Sequence, residues 1–204
     1  ISVLNTMKNQ ICTILGGGGF IGRYLVRNLT KKNYRCIITT RKAFQKGYLK
    51  TQATPGAIEL LDWNPNNFKN LEEAINNSDV VINLIGILFE TRKQKFYNIH
   101  GKIPEAVAKI CSKSNVKKFI NVSAIGANEN SKSLYQKSKR QGEINALKNF
   151  DKTIIIRPSV VCGAEDNFTN LFSKLSMLPV SPIVGINYKF QPILVSDVAD
   201  AIVK

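Results

Sequence analysis

Short runs of consecutive apolar residues recur along this chain and alternate with stretches in which the apolar residues have helical spacing. Consecutive apolar residues are typical of strands that are buried on both faces of a parallel sheet. Strands that alternate with helices place those helices on the two faces of the sheet. The predicted strands are residues 11–15, 36–40, 57–61, 80–85, 118–122 and 153–156, and the predicted helices are residues 20–31, 71–76, 96–114 and 134–150. The sequence therefore predicts an α/β protein with a doubly wound parallel sheet.

Four consecutive glycines lie between the first predicted strand and the first predicted helix, in Leu-Gly-Gly-Gly-Gly-Phe-Ile-Gly. Glycines in this context permit a tight turn and a close approach of the backbone to a pyrophosphate, and the helix N-terminus attracts the phosphates. The pattern predicts a Rossmann-type dinucleotide site. It has two readings, because Gly17, Gly19 and Gly22 give G-x-G-x-x-G, whereas Gly16, Gly19 and Gly22 give G-x-x-G-x-x-G.

The strand and helix alternation ends after the sixth predicted strand. Prolines interrupt the following region and leave room for one helix, at residues 167–175. We predict a dinucleotide-binding Rossmann domain at residues 7–157 and an incomplete C-terminal substrate or lid region at residues 158–204. Because the chain starts at Ile1 and ends in a pattern typical of an opening amphipathic helix, we interpret it as a piece of a longer protein.

The net charge of the 204-residue chain is +15 at pH 7. Its lysines are scattered and do not form a stripe, so we expect no nucleic acid partner. An acidic protein partner or a membrane surface stays open. The four cysteines are far apart, without the spacing of a zinc site, which predicts reduced thiols in a cytoplasmic compartment and no metal. The longest apolar run is too short to span a bilayer.

The end of the second predicted strand bears on the choice of cofactor. In NAD-binding proteins an acidic residue at this position binds the ribose hydroxyls. Here the strand ends in Thr-Thr-Arg-Lys, and Arg41 and Lys42 are suited to a 2′-phosphate because they donate charge-assisted hydrogen bonds. We therefore expect NADP(H) in preference to NAD(H). Asp62, at the end of the third predicted strand, is placed either to receive the adenine amino group or to cap the following turn.

A second group of polar residues follows the fifth predicted strand. Tyr135 and Lys139 are separated by four residues and therefore share one face of the predicted helix. An ammonium beside a phenol favours the charged form of the phenol, so the pair can exchange a proton with a carbonyl or alcohol. Ser123, at the end of the strand, is the candidate group that polarises a substrate carbonyl. We predict these three residues as catalytic and cofactor-binding.

Together these motifs resemble the extended and atypical branch of the short-chain dehydrogenase/reductase superfamily over nearly the whole chain. The sequence Phe-Ile-Gly after the glycines is similar to that branch's pattern. The resemblance implies the reading that uses Gly16, Gly19 and Gly22, with Phe20 and Ile21 also at the cofactor.

Two further segments carry the resemblance. Asn-Leu-Ile-Gly at residues 83–86 is similar to the motif that lies beside the nicotinamide ribose, which implies that Leu84 and Gly86 contact the cofactor. Arg-Pro-Ser-Val-Val-Cys-Gly at residues 157–163 is similar to the stretch that passes near the nicotinamide, which implies a contact from Pro158.

A narrower resemblance lies within that branch. The strings Glu-Thr-Arg at residues 90–92 and Gly-Ala-Glu-Asp-Asn-Phe at residues 163–168 are similar to the NADPH-containing accessory subunits of respiratory complex I and their bacterial relatives. This resemblance implies a tightly held NADPH, complex I subunits as partners, and a peripheral position at the inner face of the respiratory membrane.

Three functional hypotheses follow. The first is a non-catalytic subunit or assembly factor that holds NADPH, with Tyr135 and Lys139 serving as ribose ligands. The second is an active NADP-dependent reductase, epimerase or dehydratase of a small carbonyl or nucleotide-sugar-like substrate. The third is a sensor of the NADP(H) redox ratio. The single His100 has no predicted acidic or metal partner, so we expect it on a helix surface.

Overall fold

The computed structural model describes residues 10–65, 68, 70–177 and 189–204. Six parallel strands form one sheet in the order β3-β2-β1-β4-β5-β6. The strands are β1 Ile11–Leu15, β2 Arg35–Thr40, β3 Ile58–Asp62, β4 Val80–Asn83, β5 Lys118–Val122 and β6 Thr153–Ile156. This confirms the predicted parallel sheet, and only β4 ends more than one residue from its predicted limit.

Helices cover both faces of the sheet. They are α1 Phe20–Lys31, α2 Leu71–Ile75, α3 Ile103–Lys113, α4 Leu134–Asn149, α5 Asn167–Leu175 and α6 Val195–Val203. Helices α1 and α6 pack together over one face, and α3 and α4 pack together over the other. In the described ranges, none of the helices combines the length and the apolar character that a membrane span requires.

The two faces have separate cores because successive strand residues point in opposite directions. In β1, Ile14 packs in the core that contains α1 and α6, with Leu25 and Val198. The next residue, Leu15, packs in the core that contains α3, with Phe119. This explains why both residues of each such pair are apolar, and it confirms the doubly wound architecture.

Three features differ from the sequence expectations. The helix expected at residues 96–114 is α3 preceded by a π-helical segment, Tyr97–Lys102. A 3₁₀ segment, Phe44–Gln52, lies between β2 and β3 and was not predicted. The region after β6 contains a second small sheet, in which β7 (Val161–Cys162) pairs with β8 (Ile193–Leu194). The division of the chain between residues 157 and 158 stays a prediction.

The cysteines are free thiols, as the sequence predicts. Cys12, Cys36 and Cys111 are buried, and Cys162 is half-buried. Burial raises the pKa of Cys36 and of Cys111 to about 12, because it disfavours the thiolate. These thiols therefore serve as small apolar core residues.

Candidate functional site

A crevice lies at the carboxyl ends of the strands, between β1 and β4, where the strand order of the sheet reverses. Parallel α/β sheets bind their ligands at this point because the crossover connections on its two sides diverge. One cavity, lined by Gly16, Thr39 and Arg41, measures about 340 Å³ and is called the β2-side cavity. The other, lined by Tyr135 and Lys139, measures about 460 Å³ and is called the α4-side cavity. Both are lined by Leu84, Gly86 and Ile87, in the loop after β4, so the two cavities form one cleft.

The glycine turn closes one end of the cleft. Gly16 has a φ of +78°, which favours glycine, and its N–H donates to the Thr39 carbonyl at 3.2 Å. The Gly19 N–H donates to the Gly16 carbonyl at 3.0 Å, and Gly19 immediately precedes α1. A Cβ on Gly22 would collide with the backbone of Gly17, so Gly22 permits α1 to pack against the turn. Gly16 and Gly19 line the cleft, whereas Gly22 is buried behind it.

The β2-side cavity contains buried polar atoms that lack partners. The Thr39 hydroxyl and the Trp63 indole N–H are both buried and make no hydrogen bond within the described structure. Both residues line this cavity. Buried polar groups without partners are uncommon in proteins, so these two atoms fit a cleft that is completed by a polar ligand.

Cations surround the same cavity. Arg41, directly after β2, and Lys46, in the 3₁₀ segment, both line it. Arg41 also lines an adjoining cavity of about 370 Å³ together with Arg92 and Lys93 from the loop after β4. Arg41 therefore lies between two cavities that are each lined by a further cation. The sequence reasoning did not single out Lys46, Arg92 or Lys93 as site residues, although Arg92 lies within the quoted Glu-Thr-Arg motif.

Three predicted cofactor-binding residues, Gly22, Lys42 and Asp62, lie outside these cavities. Lys42 is exposed and lines none of the described cavities near the cleft. The Asp62 carboxylate accepts the backbone N–H of Ala43 at 2.7 Å and so caps the turn after β2. The sequence had suggested a cap on the turn after β3, whereas the turn that Asp62 caps follows β2, and its contact with the adenine stays a prediction. The other residues predicted to bind the cofactor line the cleft.

Besides Leu84 and Gly86, the α4-side cavity brings together six predicted residues from four other parts of the chain. They are Phe20, Ile21, Ser123, Tyr135, Lys139 and Pro158. Apolar side chains of Leu88, Ile125 and Phe168 form its outer wall. Asp166 also lines the cavity, but its carboxylate accepts the N–H of Gly163 at 2.9 Å and caps α5.

Comparison with known protein families matches residues 12–204 to the NAD dependent epimerase/dehydratase family. The chain belongs to this family. Similar proteins include subunit 9 of the NADH dehydrogenase (ubiquinone) 1 alpha subcomplex of Mus musculus, a mitochondrial protein, which is 34% identical and matches 98% of this chain and 54% of its own length. The mitochondrial NADH-ubiquinone oxidoreductase 40 kDa subunit of Neurospora crassa is 29% identical over 97% of this chain and 52% of its own.

The chain spans about half the length of these relatives. Solved structures of the same fold are more distant in sequence. UDP-glucuronic acid 4-epimerase from Bacillus cereus has a TM-score of 0.75 and 20% identity, covering 95% of this chain and 73% of its own. Pen from Bacillus thuringiensis has a TM-score of 0.81 and 16% identity, covering 95% and 66%. These similarities confirm the Rossmann-type fold of this epimerase/dehydratase family member.

Burial dominates the electrostatics of the Tyr135 and Lys139 pair in this epimerase/dehydratase family member. Desolvation lowers the pKa of Lys139 to about 8, and the Lys139 Nζ donates to the Val122 carbonyl at 3.3 Å. Desolvation also raises the pKa of Tyr135 above its usual value. A tyrosine that acts as a proton donor and acceptor at neutral pH needs the opposite shift. Burial therefore favours the neutral form of the phenol.

The Ser123 hydroxyl faces a buried ion cluster. The Glu143 carboxylate on α4 is almost fully buried and is bound by Arg157 through two nitrogens and by Arg140 at 3.1 Å. Burial raises the pKa of Glu143, but Arg157, the nearby Ser123 hydroxyl and Arg140 outweigh that effect and lower it. The Ser123 hydroxyl makes no hydrogen bond of ordinary geometry. Ser123 therefore lines the cavity with a buried hydroxyl that has no hydrogen-bond partner in the described structure.

The expectation that His100 lies on a helix surface is wrong. Its side chain is 2% exposed and lies between the loop after β4 and helix α4. The expectation failed because His100 precedes the buried residues Ile103 and Val107 by three and seven residues, so it lies on the helix face that packs against α4. The helical spacing of His100 from these apolar residues is the signal in the sequence that indicates its burial.

Proposed function

We propose that this chain binds NADP(H) in the cleft between β1 and β4 and that the complete protein holds the nucleotide as a structural cofactor. The observation that carries the proposal is the glycine turn beside buried, unpartnered polar atoms of Thr39 and Trp63. The backbone N–H groups at the start of α1 and the positive end of its dipole suit a pyrophosphate. When bound, NADPH would supply a hydride donor, whereas the chain supplies the binding groups.

The charges around the β2-side cavity support NADP(H) over NAD(H). Arg41, Lys46 and Arg92 surround the place where β2 ends, and the Asp62 carboxylate is already engaged by the Ala43 N–H. A 2′-phosphate gains charge-assisted hydrogen bonds from such cations. NAD(H) would leave these cations unpaired and would find no carboxylate lining the described part of this cavity to bind its ribose hydroxyls.

The state of the α4-side cavity supports a holding role over turnover. The pKa of Tyr135 is raised by burial, and Ser123 lies beside the Glu143 carboxylate. The buried Lys139 retains a donor for a ribose hydroxyl in addition to its bond to the Val122 carbonyl. Tyr135 and Lys139 therefore serve as ribose ligands. Binding that favours only the folded state stabilises it in proportion to the logarithm of the ratio of ligand concentration to Kd.

We further propose that the complete protein associates with respiratory complex I as a subunit or as an assembly and stability factor. The relatives of Mus musculus and Neurospora crassa bear the names of subunits of NADH-ubiquinone oxidoreductase. The net charge of +15 favours an acidic partner or the anionic inner face of the respiratory membrane. Exposed Phe168, Leu171 and Phe172 on α5 form an apolar patch of the kind that packs on protein.

Two experiments test this function. Denaturation of the purified full-length protein, followed by mass spectrometry, identifies the released nucleotide. We expect NADP(H) at close to one per chain, and NAD(H) in its place would refute the specificity argument. Native gel electrophoresis of the solubilised respiratory membrane tests the partner, because the protein should migrate with complex I. Migration as a free monomer, in cells that contain intact complex I, would refute the association.

A second function is favoured by one observation. Ser123, Tyr135 and Lys139 all line the same cavity, which is the arrangement that an NADP-dependent reductase, epimerase or dehydratase requires. In that case the full-length protein would consume NADPH when carbonyl compounds are added, and Tyr135→Phe would abolish the reaction. A sensor of the NADP(H) redox ratio would instead release and rebind both nucleotides quickly. Exchange rates of bound NADPH and NADP⁺ therefore distinguish the three functions.

A further inference from the structure

The buried imidazole of His100 connects the two walls of the cleft. On one side, the backbone N–H of Ile87 donates to His100 Nε2 at 3.0 Å. On the other side, His100 Nδ1 lies 2.8 Å from the Ser138 hydroxyl, which donates to the Tyr135 carbonyl at 2.7 Å. Ile87 lines both cavities, and Tyr135 lines the α4-side cavity. The imidazole therefore lies between the loop after β4 and the first turn of α4.

These contacts fix the tautomer of His100. Because Nε2 accepts the Ile87 N–H, it carries no proton, and the proton of the neutral ring lies on Nδ1. Nδ1 then donates to the Ser138 hydroxyl, whose own proton goes to the Tyr135 carbonyl. The chain of donors runs in one direction, from Ile87 to Tyr135, and each group in it is satisfied.

The ring stays neutral at physiological pH. Burial and, to a smaller extent, the nearby charge of Lys139 lower the pKa of His100 to about 3. Protonation would also remove the acceptor that the Ile87 N–H uses. The hydrogen bonds of His100 are therefore constant over the range in which most histidines titrate.

Two glycines leave space for the segments that surround the imidazole. The π-helical segment carries His100, and a Cβ on Gly142 of α4 would collide with the His100 carbonyl. A Cβ on Gly86 would lie 3.1 Å from Lys139 Nζ and 3.6 Å from His100 Nε2. Glycine at both positions lets the π-helical segment, α4 and the loop after β4 approach closely around the imidazole.

We propose that His100 is a positioning residue of the cofactor site, holding the loop after β4 in register with Tyr135 and Lys139 so that both walls bind one dinucleotide. This assignment rests on the proposed NADP(H)-holding function. His100 itself does not line either cavity. It acts through Ile87 and Ser138, and its loss is expected to speed the release of NADPH by about tenfold, which corresponds to about 1.4 kcal/mol or one net hydrogen bond.

Two substitutions separate positioning from packing. The His100 ring stacks on Phe96 at 5.4 Å and meets the Tyr135 ring edge-on at 5.4 Å, so it also packs. His100→Phe keeps an aromatic ring and removes both hydrogen bonds, whereas His100→Gln removes the ring and keeps an acceptor and a donor. Positioning by hydrogen bonds predicts that NADPH leaves His100→Phe about tenfold faster and leaves His100→Gln at nearly the wild-type rate.

The release rate is measured by dilution of the NADPH-loaded full-length protein into a solution of an enzyme that oxidises NADPH as soon as it is released. Circular dichroism verifies that each variant is folded. His100→Phe that releases NADPH as slowly as wild type would overturn the proposal, as would His100→Gln that releases it as fast as His100→Phe. Ser138→Ala removes only the α4 end of the connection and should give an intermediate rate. If wild type itself releases NADPH at once, the holding function fails. If wild type holds NADPH and the variants release it equally slowly, the assignment of His100 fails but the holding function stands.

Nitrogen NMR of the imidazole provides a readout that does not depend on the cofactor. The 204-residue sequence contains one histidine, and comparison of the spectra of wild type and His100→Phe assigns its two ring nitrogens in the full-length protein. We expect the neutral tautomer with the proton on Nδ1 from pH 8 down to pH 5. An Nε2–H tautomer, or titration to the imidazolium within that range, would overturn the proposal.

Discussion

Replacing Gly22 by alanine tests whether the glycine turn requires its observed geometry. The added Cβ would overlap the carbonyl oxygen, carbonyl carbon and Cα of Gly17. These are backbone atoms, and Gly17 cannot move aside easily because its own α-carbon faces the side chains of Ile14 and Ile38. The N-terminal turn of α1 must therefore shift away from β1. Forced overpacking of this kind typically costs about 1–3 kcal/mol.

Urea unfolding of nucleotide-free protein measures this cost, and Gly47→Ala provides a matched control. Gly47 lies in the exposed 3₁₀ segment, and a Cβ there would meet nothing within 4 Å. The control should change the free energy of unfolding by less than about 0.5 kcal/mol, as exposed substitutions usually do. Gly22→Ala should also lower the amount of NADP(H) that copurifies. Equal stability of the two variants would refute the packing argument.

Three further predictions concern charge and chemistry. Arg41→Ala should weaken NADPH binding by about 10- to 100-fold and NADH binding much less, because it removes a charge-assisted hydrogen bond to the 2′-phosphate. Lys42→Ala should change neither affinity. Fluorescence titration measures both affinities, and equal losses in the two variants would contradict the assignment. The pKa of Glu143 is lowered in the folded state, so its contribution to stability is present above its unfolded pKa and is lost as the pH falls through the folded pKa. Urea midpoints measured between pH 7 and pH 3 should therefore fall more steeply for wild type than for Glu143→Gln. Parallel curves for the two proteins would contradict this. Tyr135→Phe removes one proposed ribose ligand and should speed the release of NADPH, while the NADPH that stays bound remains reduced. An NADPH-consuming activity that wild type shows and this variant lacks would contradict the holding function.

The parts of the fold that sequence predicted best depend on local patterns. The strands are runs of consecutive apolar residues whose burial follows from being in the middle of a covered sheet, and the glycine turn has a fixed position between β1 and α1. Tyr135 and Lys139 meet the same cavity because four-residue spacing on a helix is sufficient to align them. Such features need no knowledge of distant contacts.

The parts that sequence missed depend on contacts between distant segments. His100 is covered by the loop after β4 and by helix α4, whose Ser138 lies 38 residues away. Glu143 resembles an exposed helical residue until Arg157, from the end of β6, pairs with it. The sequence around Asp62 suggested an adenine contact or a cap on the turn after β3, whereas its carboxylate accepts the Ala43 N–H and caps the turn after β2. In each case the deciding partner comes from another element of the fold.

Exchange of the bound nucleotide in the full-length protein is the most direct test of the central claim. The protein is mixed with an excess of isotopically labelled NADPH, and the nucleotide that stays bound is analysed over time by mass spectrometry. A structural cofactor should remain unlabelled, reduced and bound for much longer than an enzyme's turnover time. Complete exchange within seconds, with oxidation of the NADPH when carbonyl compounds are present, would contradict the claim and would identify a working reductase.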